Sequence, residues 1–102
     1  MSKLSEFRIR ELETFLLIFQ ERGIVKASKR LGVGQPAVSN TLAGLRMKFG
    51  DVLFTRPNCK PTQRCQQIAR ILLPIMEDLH VAVEALNSLK GHEDSDHASD
   101  SP

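Results

Sequence analysis

Residues 27–39 read Ala27-Ser28-Lys29-Arg30-Leu31-Gly32-Val33-Gly34-Gln35-Pro36-Ala37-Val38-Ser39, and the fold turns on them. Before Gly32 lies a short helical segment, residues 25–31, whose Ala27 and Leu31 stand four apart on one face. Gly32-Val33-Gly34 then predicts a tight turn. Pro36 follows where the first amides of a new helix have no partner inside it, so its missing N–H costs little, and helix 3 begins at about Gln35. Along that helix Val38, Leu42, Leu45 and Phe49 share one arc, and Gln35, Ser39, Asn40, Ala43 and Arg46 share another. The first arc packs; the second, small and polar, looks outward. Gly50 closes the helix.

Upstream, Ile9, Leu12, Phe15, Leu16 and Phe19 recur at steps of three and four, which predicts helix 1 over residues 9–21 with one buried stripe and an end near Gly23. Downstream, Val52, Leu53, Phe54 and Thr55 predict a short strand. Arg56-Pro57-Asn58-Cys59-Lys60-Pro61 then makes a basic turn with a weak return strand, the two prolines keeping it out of any central sheet position. The pair forms a small wing. Thr62 is a good N-cap for the long helix that follows. In that helix Ile68, Leu72, Ile75, Leu79, Ala82, Leu86 and Leu89 step by 4, 3, 4, 3, 4, 3, three heptads of an apolar seam. Pro74 inside it removes one backbone hydrogen bond, which predicts a kink or a junction between two helices. The seam needs a second surface, either the body folding back or a twin chain. Because helices 1 to 3 already have a core among themselves, the twin is expected and the seven residues form a homodimer interface.

The fold class is therefore mainly α: a winged helix-turn-helix of three helices plus a small β wing, followed by a long linker helix. Residues 1–66 form the winged helix-turn-helix and 67–90 the linker and dimerisation helix. Residues 91–102, acidic and Ser-rich, are expected to be a disordered tail because they cannot bury enough to order themselves.

Composition excludes other classes. A chain of 102 residues supports one domain and a modest core. No apolar run approaches a membrane span, and Met1-Ser2-Lys3-Leu4-Ser5-Glu6 lacks the apolar stretch of a secretory signal, so a cytoplasmic protein is expected. Cys59 and Cys65 stand six apart without Cys-x-x-Cys spacing and read as free thiols. His92 and His97 fall in the tail, and His80 on the linker helix reads as solvent-facing or beside its twin. With no cluster of His, Cys and acids, no phosphate loop and no metal spacing, neither enzymatic activity nor a metal nor a cofactor is expected. The net charge of +2 conceals an asymmetry: all 14 Lys and Arg lie in residues 1–90 beside eight of the 12 acids, while Glu93, Asp94, Asp96 and Asp100 lie in the tail. A basic body suits a polyanion.

Two short helices joined by a glycine turn are the pair whose second helix can enter a DNA major groove. The exposed start of helix 3 must then be slender and polar, as Gln35, Pro36, Ala37, Ser39 and Asn40 are. Gln and Asn can make paired hydrogen bonds to adenine, and a proline or alanine surface suits the thymine methyl. The expected partner is double-stranded DNA, A·T-rich and, for a dimer, partly palindromic.

Several stretches together resemble a known family. They are Ile9-Arg10-x-Leu12-x-x-Phe15, Ala27-Ser28-x-x-Leu31-Gly32-Val33-Gly34-Gln35-Pro36-Ala37-Val38-Ser39, Leu45-Arg46, Phe49, Asp51, Leu53-Phe54-x-Arg56 and Pro61-Thr62. The chain resembles the N-terminal domain of LysR-type transcriptional regulators with its linker helix, most of all the nodulation-regulator and LeuO-like branch. The resemblance implies a linker helix that pairs antiparallel with that of a second subunit. It also implies that Gln35, Pro36 and Ser39 face bases, that Asn40 and Lys26 approach base edges or phosphate, and that Arg56 and Lys60 lie at the wing beside the minor groove. Three departures stand out: Val25 where the family has a Thr or Ser capping helix 2, Gly34 in place of a Ser, and a wing about two residues shorter than in this branch. No inducer-binding domain follows within the 102 residues, so no small-molecule inducer site is expected. An alternative role is an interaction module that forms mixed dimers with a full-length regulator of the same type.

Overall fold

The computed structural model describes residues 7–100, and of residues 91–100 the backbone alone. Helices α1 (Ile9–Glu21), α2 (Ile24–Leu31) and α3 (Gln35–Phe49) are followed by β1 (Phe54–Thr55), β2 (Lys60–Pro61) and α4 (Gln63–Asp100). This is the winged helix-turn-helix with a long following helix that the punctuation predicts. Each of the first three helices stops on a left-handed residue, Arg22, Gly32 and Gly50, whose N–H turns back to a carbonyl of the last turn. Arg22 holds that conformation without being glycine: its Nε also donates to the Phe19 carbonyl at 2.9 Å.

The N-cap of α2 is Gly23, and Val25 is the second residue of the helix. The expectation that Val25 sits at the cap is thus corrected. Within α2, Ser28 is buried with its hydroxyl donating to the Val25 carbonyl at 2.8 Å, so it packs without a stranded polar atom.

Helix α1 buries more than the one stripe expected of it. It packs against α2, α3 and α4 at once, so Ile18 is fully buried along with Phe15 and Leu16, while Ile9 projects into solvent. Around α1 the core gathers Ala27 from α2, Val38, Leu42 and Leu45 from α3, Leu53 and Phe54 from the wing, and Cys65, Ile68, Ala69 and Met76 from α4. Burial pushes the Cys65 thiol up to about 12, so it behaves as a small apolar side chain.

The chain enters the wing through Leu53, a buried residue with φ 67°. Successive residues of a strand point to opposite faces. The left-handed step at Leu53 breaks that alternation and sends both Leu53 and Phe54 into the core. A bulky residue held there costs on the order of 1–3 kcal/mol. Burying a leucine offsets that by about 1.5–3 kcal/mol, and Asp51 fixes the turn. Its Oδ2 accepts from the Leu53 N–H at 2.9 Å and from the Thr62 hydroxyl at 2.7 Å, and Thr62 Oγ1 in turn accepts from the Cys65 N–H at 3.0 Å as the cap of α4. The Thr62 hydroxyl and then the Leu53 amide hold the Asp51 carboxyl below its usual range.

β1 and β2 are antiparallel, Phe54 opposite Pro61 and Thr55 opposite Lys60. α4 runs as one helix through Pro74, not as two. Its helical backbone continues to Asp100, through the stretch composition assigns to a disordered tail; extending an existing helix needs no new nucleus. The 66/67 boundary falls inside α4, whose first turns belong to the core. Ser101 and Pro102 lie outside the described residues.

Candidate nucleic-acid interface

The start of α3 projects from the body because its packing residues, Val38, Leu42 and Leu45, all lie on the other side. Gln35, Pro36, Ala37, Ser39 and Asn40 are exposed. Gly34 caps α3 without a side-chain bond, and its carbonyl accepts from the Ala37 and Val38 amides at 3.2 and 3.4 Å. Lys26 on α2 and Arg56 and Lys60 on the wing are also exposed. Every residue read from the sequence as a DNA contact is therefore accessible.

They are not all in one place. A concave groove of about 510 Å³ runs between the start of α2, α3 and the wing, and of the expected contacts Ser39 and Arg56 line it. Gln35, Pro36, Asn40, Lys26 and Lys60 lie on the surface outside it. Arg22 and Arg46 join Arg56 along the groove, and no acid lines it. Three guanidinium groups with apolar walls between them make a strip of positive potential of the kind that suits a phosphate backbone.

Two of these arginines are not evident from the sequence, for different reasons. The one signal for Arg22 is a basic residue directly before Gly23. Spacing sets Arg46 on the outward arc of α3, but its side chain turns to the wing. Nε donates to the Val52 carbonyl at 2.8 Å and Nη2 to the Phe54 carbonyl at 3.2 Å. Arg46 thus ties the wing to α3 across the groove, while among the described residues no hydrogen bond or ion pair engages the side chains of Ser39 and Arg56, which also line it. On α2, Arg30 is engaged with Glu21 at 2.7 Å. Among the described residues no group of His, Cys, Asp and Glu could hold a metal ion, and no helix is long and apolar enough to cross a membrane.

The expected dimer seam divides. Ile68 is only 8% exposed and belongs to the chain's own core, and Leu72 and Leu79 pack partly against that core. Ile75, Leu86 and Leu89 are 58%, 62% and 67% exposed, and Ala82 is exposed with them. Ile71, off the strict seam, joins them at 65%. Leu86 follows Ile68 by five full helical turns and so points the same way, which means the seam opens to solvent because α4 runs on past the end of the body.

Residues 9–66 match the family described as bacterial regulatory helix-turn-helix protein, lysR family. The HTH-type transcriptional regulator LeuO of Escherichia coli (strain K12) is 42% identical over 59 residues, covering 56% of this chain and 19% of that protein. Nodulation protein D 1 of Rhizobium meliloti (strain 1021) is 32% identical over 89 residues, covering 80% of this chain and 29% of that protein. The chain thus spans less than a third of the length of these relatives. Among solved structures, a probable transcriptional regulator, PA0477, from Pseudomonas aeruginosa superposes with a TM-score of 0.74 at 26% identity, over 81% of this chain and 28% of that one. A transcriptional regulator of the LysR family from Eggerthella lenta DSM 2243 gives 0.60 at 29% identity, over 65% of this chain and 97% of that one.

Proposed function

The chain belongs to the lysR family of bacterial regulatory helix-turn-helix proteins, and on that premise we propose that it is a sequence-specific, double-stranded-DNA-binding regulator of transcription. The observation that carries the reading is the acid-free groove lined by Arg22, Arg46 and Arg56 beside the slender, exposed start of α3. In this reading Gln35, Pro36 and Ser39 read base edges in the major groove, and Asn40 and Lys26 hold the flanking edge or phosphate. Arg56 and Lys60 bring the wing to the minor groove. The role is binding rather than catalysis, and the chain works in the cytoplasm, where the DNA is.

Two copies pair through the open side of α4. Four large apolar side chains, Ile71, Ile75, Leu86 and Leu89, face solvent there in a single chain, and each contributes about 1.5–3 kcal/mol when fully withdrawn from water. Pairing would set two α3 helices on one duplex, which is the reason to expect a partly palindromic, A·T-rich site.

Selection of bound fragments from random duplex DNA by the purified chain tests the proposal. Enrichment of one A·T-rich motif with an inverted repeat is expected, and affinity should fall steeply with salt, by about 0.9 in the log–log slope per phosphate neutralised. A titration that is flat in salt, or a selection that enriches nothing, overturns it.

A further inference from the structure

The open stripe of α4 carries one charge. Placed at about 100° per residue, Asp78 falls at the margin of the arc of Ile71, Ile75, Ala82 and Leu89, about 20° outside it, with Ala85, Pro74 and Val81 on its other side. Its four helical neighbours at three and four positions are Pro74, Ile75, Val81 and Ala82, all apolar, so its own helix offers no cation within reach. Asp78 is exposed and makes no ion pair among the described residues. An acid on a solvated helix face is ordinary; an acid set alone inside an apolar stripe is not.

The stripe also has internal symmetry. Ile71, Ile75, Ala82 and Leu86 are spaced by 4, 7 and 4, a pattern that reads the same from either end. A twofold antiparallel pairing requires that residue i meet j and j meet i. Centred between positions 78 and 79, it sets Ile71 against Leu86 and Ile75 against the small Ala82 of a second copy. The same centre brings the two Asp78 side chains together at the axis. They lie within one residue's rise of each other and on the same side of the pair, along the edge of the apolar contact.

We propose that Asp78 makes the α4 surface selective: it weakens pairing of the chain with its own copy and favours a helix of the same apolar spacing that presents a neutral or basic residue beside it. The partner is thus a related α4-type helix. This rests on the proposal that α4 is the pairing surface.

Sedimentation of the full chain over a concentration series, for the wild type and Asp78→Asn at about 50 mM and about 500 mM salt, tests it. Removing the like-charge contact should tighten self-association roughly threefold to tenfold at low salt, and high salt should narrow the gap. In a mixture of wild type and Asp78→Lys, native mass spectrometry should find the mixed dimer above the share that random pairing gives. If both proteins dimerise with equal strength, or Asp78→Asn dimerises more weakly, the inference about Asp78 fails while α4 pairing stands. If wild type, Asp78→Asn and the Asp78→Lys mixture all remain monomeric at the highest concentration, pairing through α4 fails and the inference with it.

Discussion

Replacing Arg46 by lysine keeps a positive charge in the groove and removes the planar two-point donor that holds the wing. The two bonds differ in what their loss leaves behind. The bond to the Val52 carbonyl is exposed, and water can take its place; the bond to the Phe54 carbonyl is partly buried. A hydrogen bond from a charged donor is worth about 1.5–3 kcal/mol net, and partial burial puts the Phe54 bond toward the lower end. The left-handed turn at Leu53 also loses a brace immediately before it, leaving the Asp51 carboxylate on its amide and the Thr62 amide on its carbonyl to hold it. Both Arg46→Lys and Arg46→Ala should therefore lower the unfolding free energy by about 1–3 kcal/mol. Each kcal/mol moves Tm by about 4–8 °C in a domain of this size, so circular dichroism melts resolve the effect. The DNA titration separates tether from charge. Arg46→Lys should weaken binding to the selected site while leaving the salt slope as it is, because the wing is no longer set against α3 but the charge remains. If Arg46→Lys melts and binds like the wild type while Arg46→Ala loses about 0.9 of slope, Arg46 is a phosphate contact and the tether is irrelevant.

Gln35→Ala should cost roughly 1–3 kcal/mol on the selected site and little on random DNA, whereas Arg56→Ala should weaken both and flatten the salt slope; equal losses on the two DNAs for Gln35→Ala would remove α3 as the reader. Leu86→Asp should abolish dimerisation without lowering the melting temperature of the winged body, because Leu86 is 62% exposed and lies outside the core; a dimer that survives it refutes pairing through the open stripe. For Asp51 the folded carboxyl titrates below the ordinary aspartate value of 3.8, so its contribution to stability is fully present above that value and is lost as pH falls through the lower folded one. Asp51→Asn should melt lower than the wild type at neutral pH, and the gap should close in acid below about pH 4; a gap that is constant with pH would show that the carboxylate charge plays no part.

The parts of the fold that were legible are those decided by local chemistry. Glycine at 32 and 50 and proline at 36 act on their own backbone, so the ends of α2 and α3 follow from them within a residue. What was not legible depends on contacts between segments distant along the chain. The buried side of α1 could not be read from one stripe because three helices pack around it. Arg46 shares an arc with Ser39, and nothing in spacing distinguishes a side chain that reaches DNA from one that reaches the wing. Leu53 carries no signal at all, since the residue that makes its left-handed turn tenable is Asp51, whose carboxylate bonds to its amide. The Arg22 contribution to the groove is of the same kind: it becomes visible only when the end of α1 is brought against the wing.

Helix α4 shows why a correct periodicity can still assign residues to the wrong partner. The heptad rule treats the seam as facing one surface throughout, as it does when two helices supercoil along their whole length. Here the helix must serve two surfaces in turn. Near its start it closes the body, so Cys65, Ile68, Ala69 and Met76 are withdrawn from water by the chain itself. Farther along there is no body left to cover it, so Leu86, on the same side of the helix as the buried Ile68, is exposed. Pro74 sits at this transition. It is exposed, as is Arg70, whose carbonyl would otherwise receive the missing amide, so water can satisfy that oxygen and the helix continues. A proline at this position in a fully buried helix would leave a stranded carbonyl; on a helix that is covered on one side only, it is tolerated. Of the apolar residues beyond it, Met76 and in part Leu79 still reach the core, while Ile75, Val81, Leu86 and Leu89 have no surface in the single chain to bury them, which is why the proposed pairing is placed there.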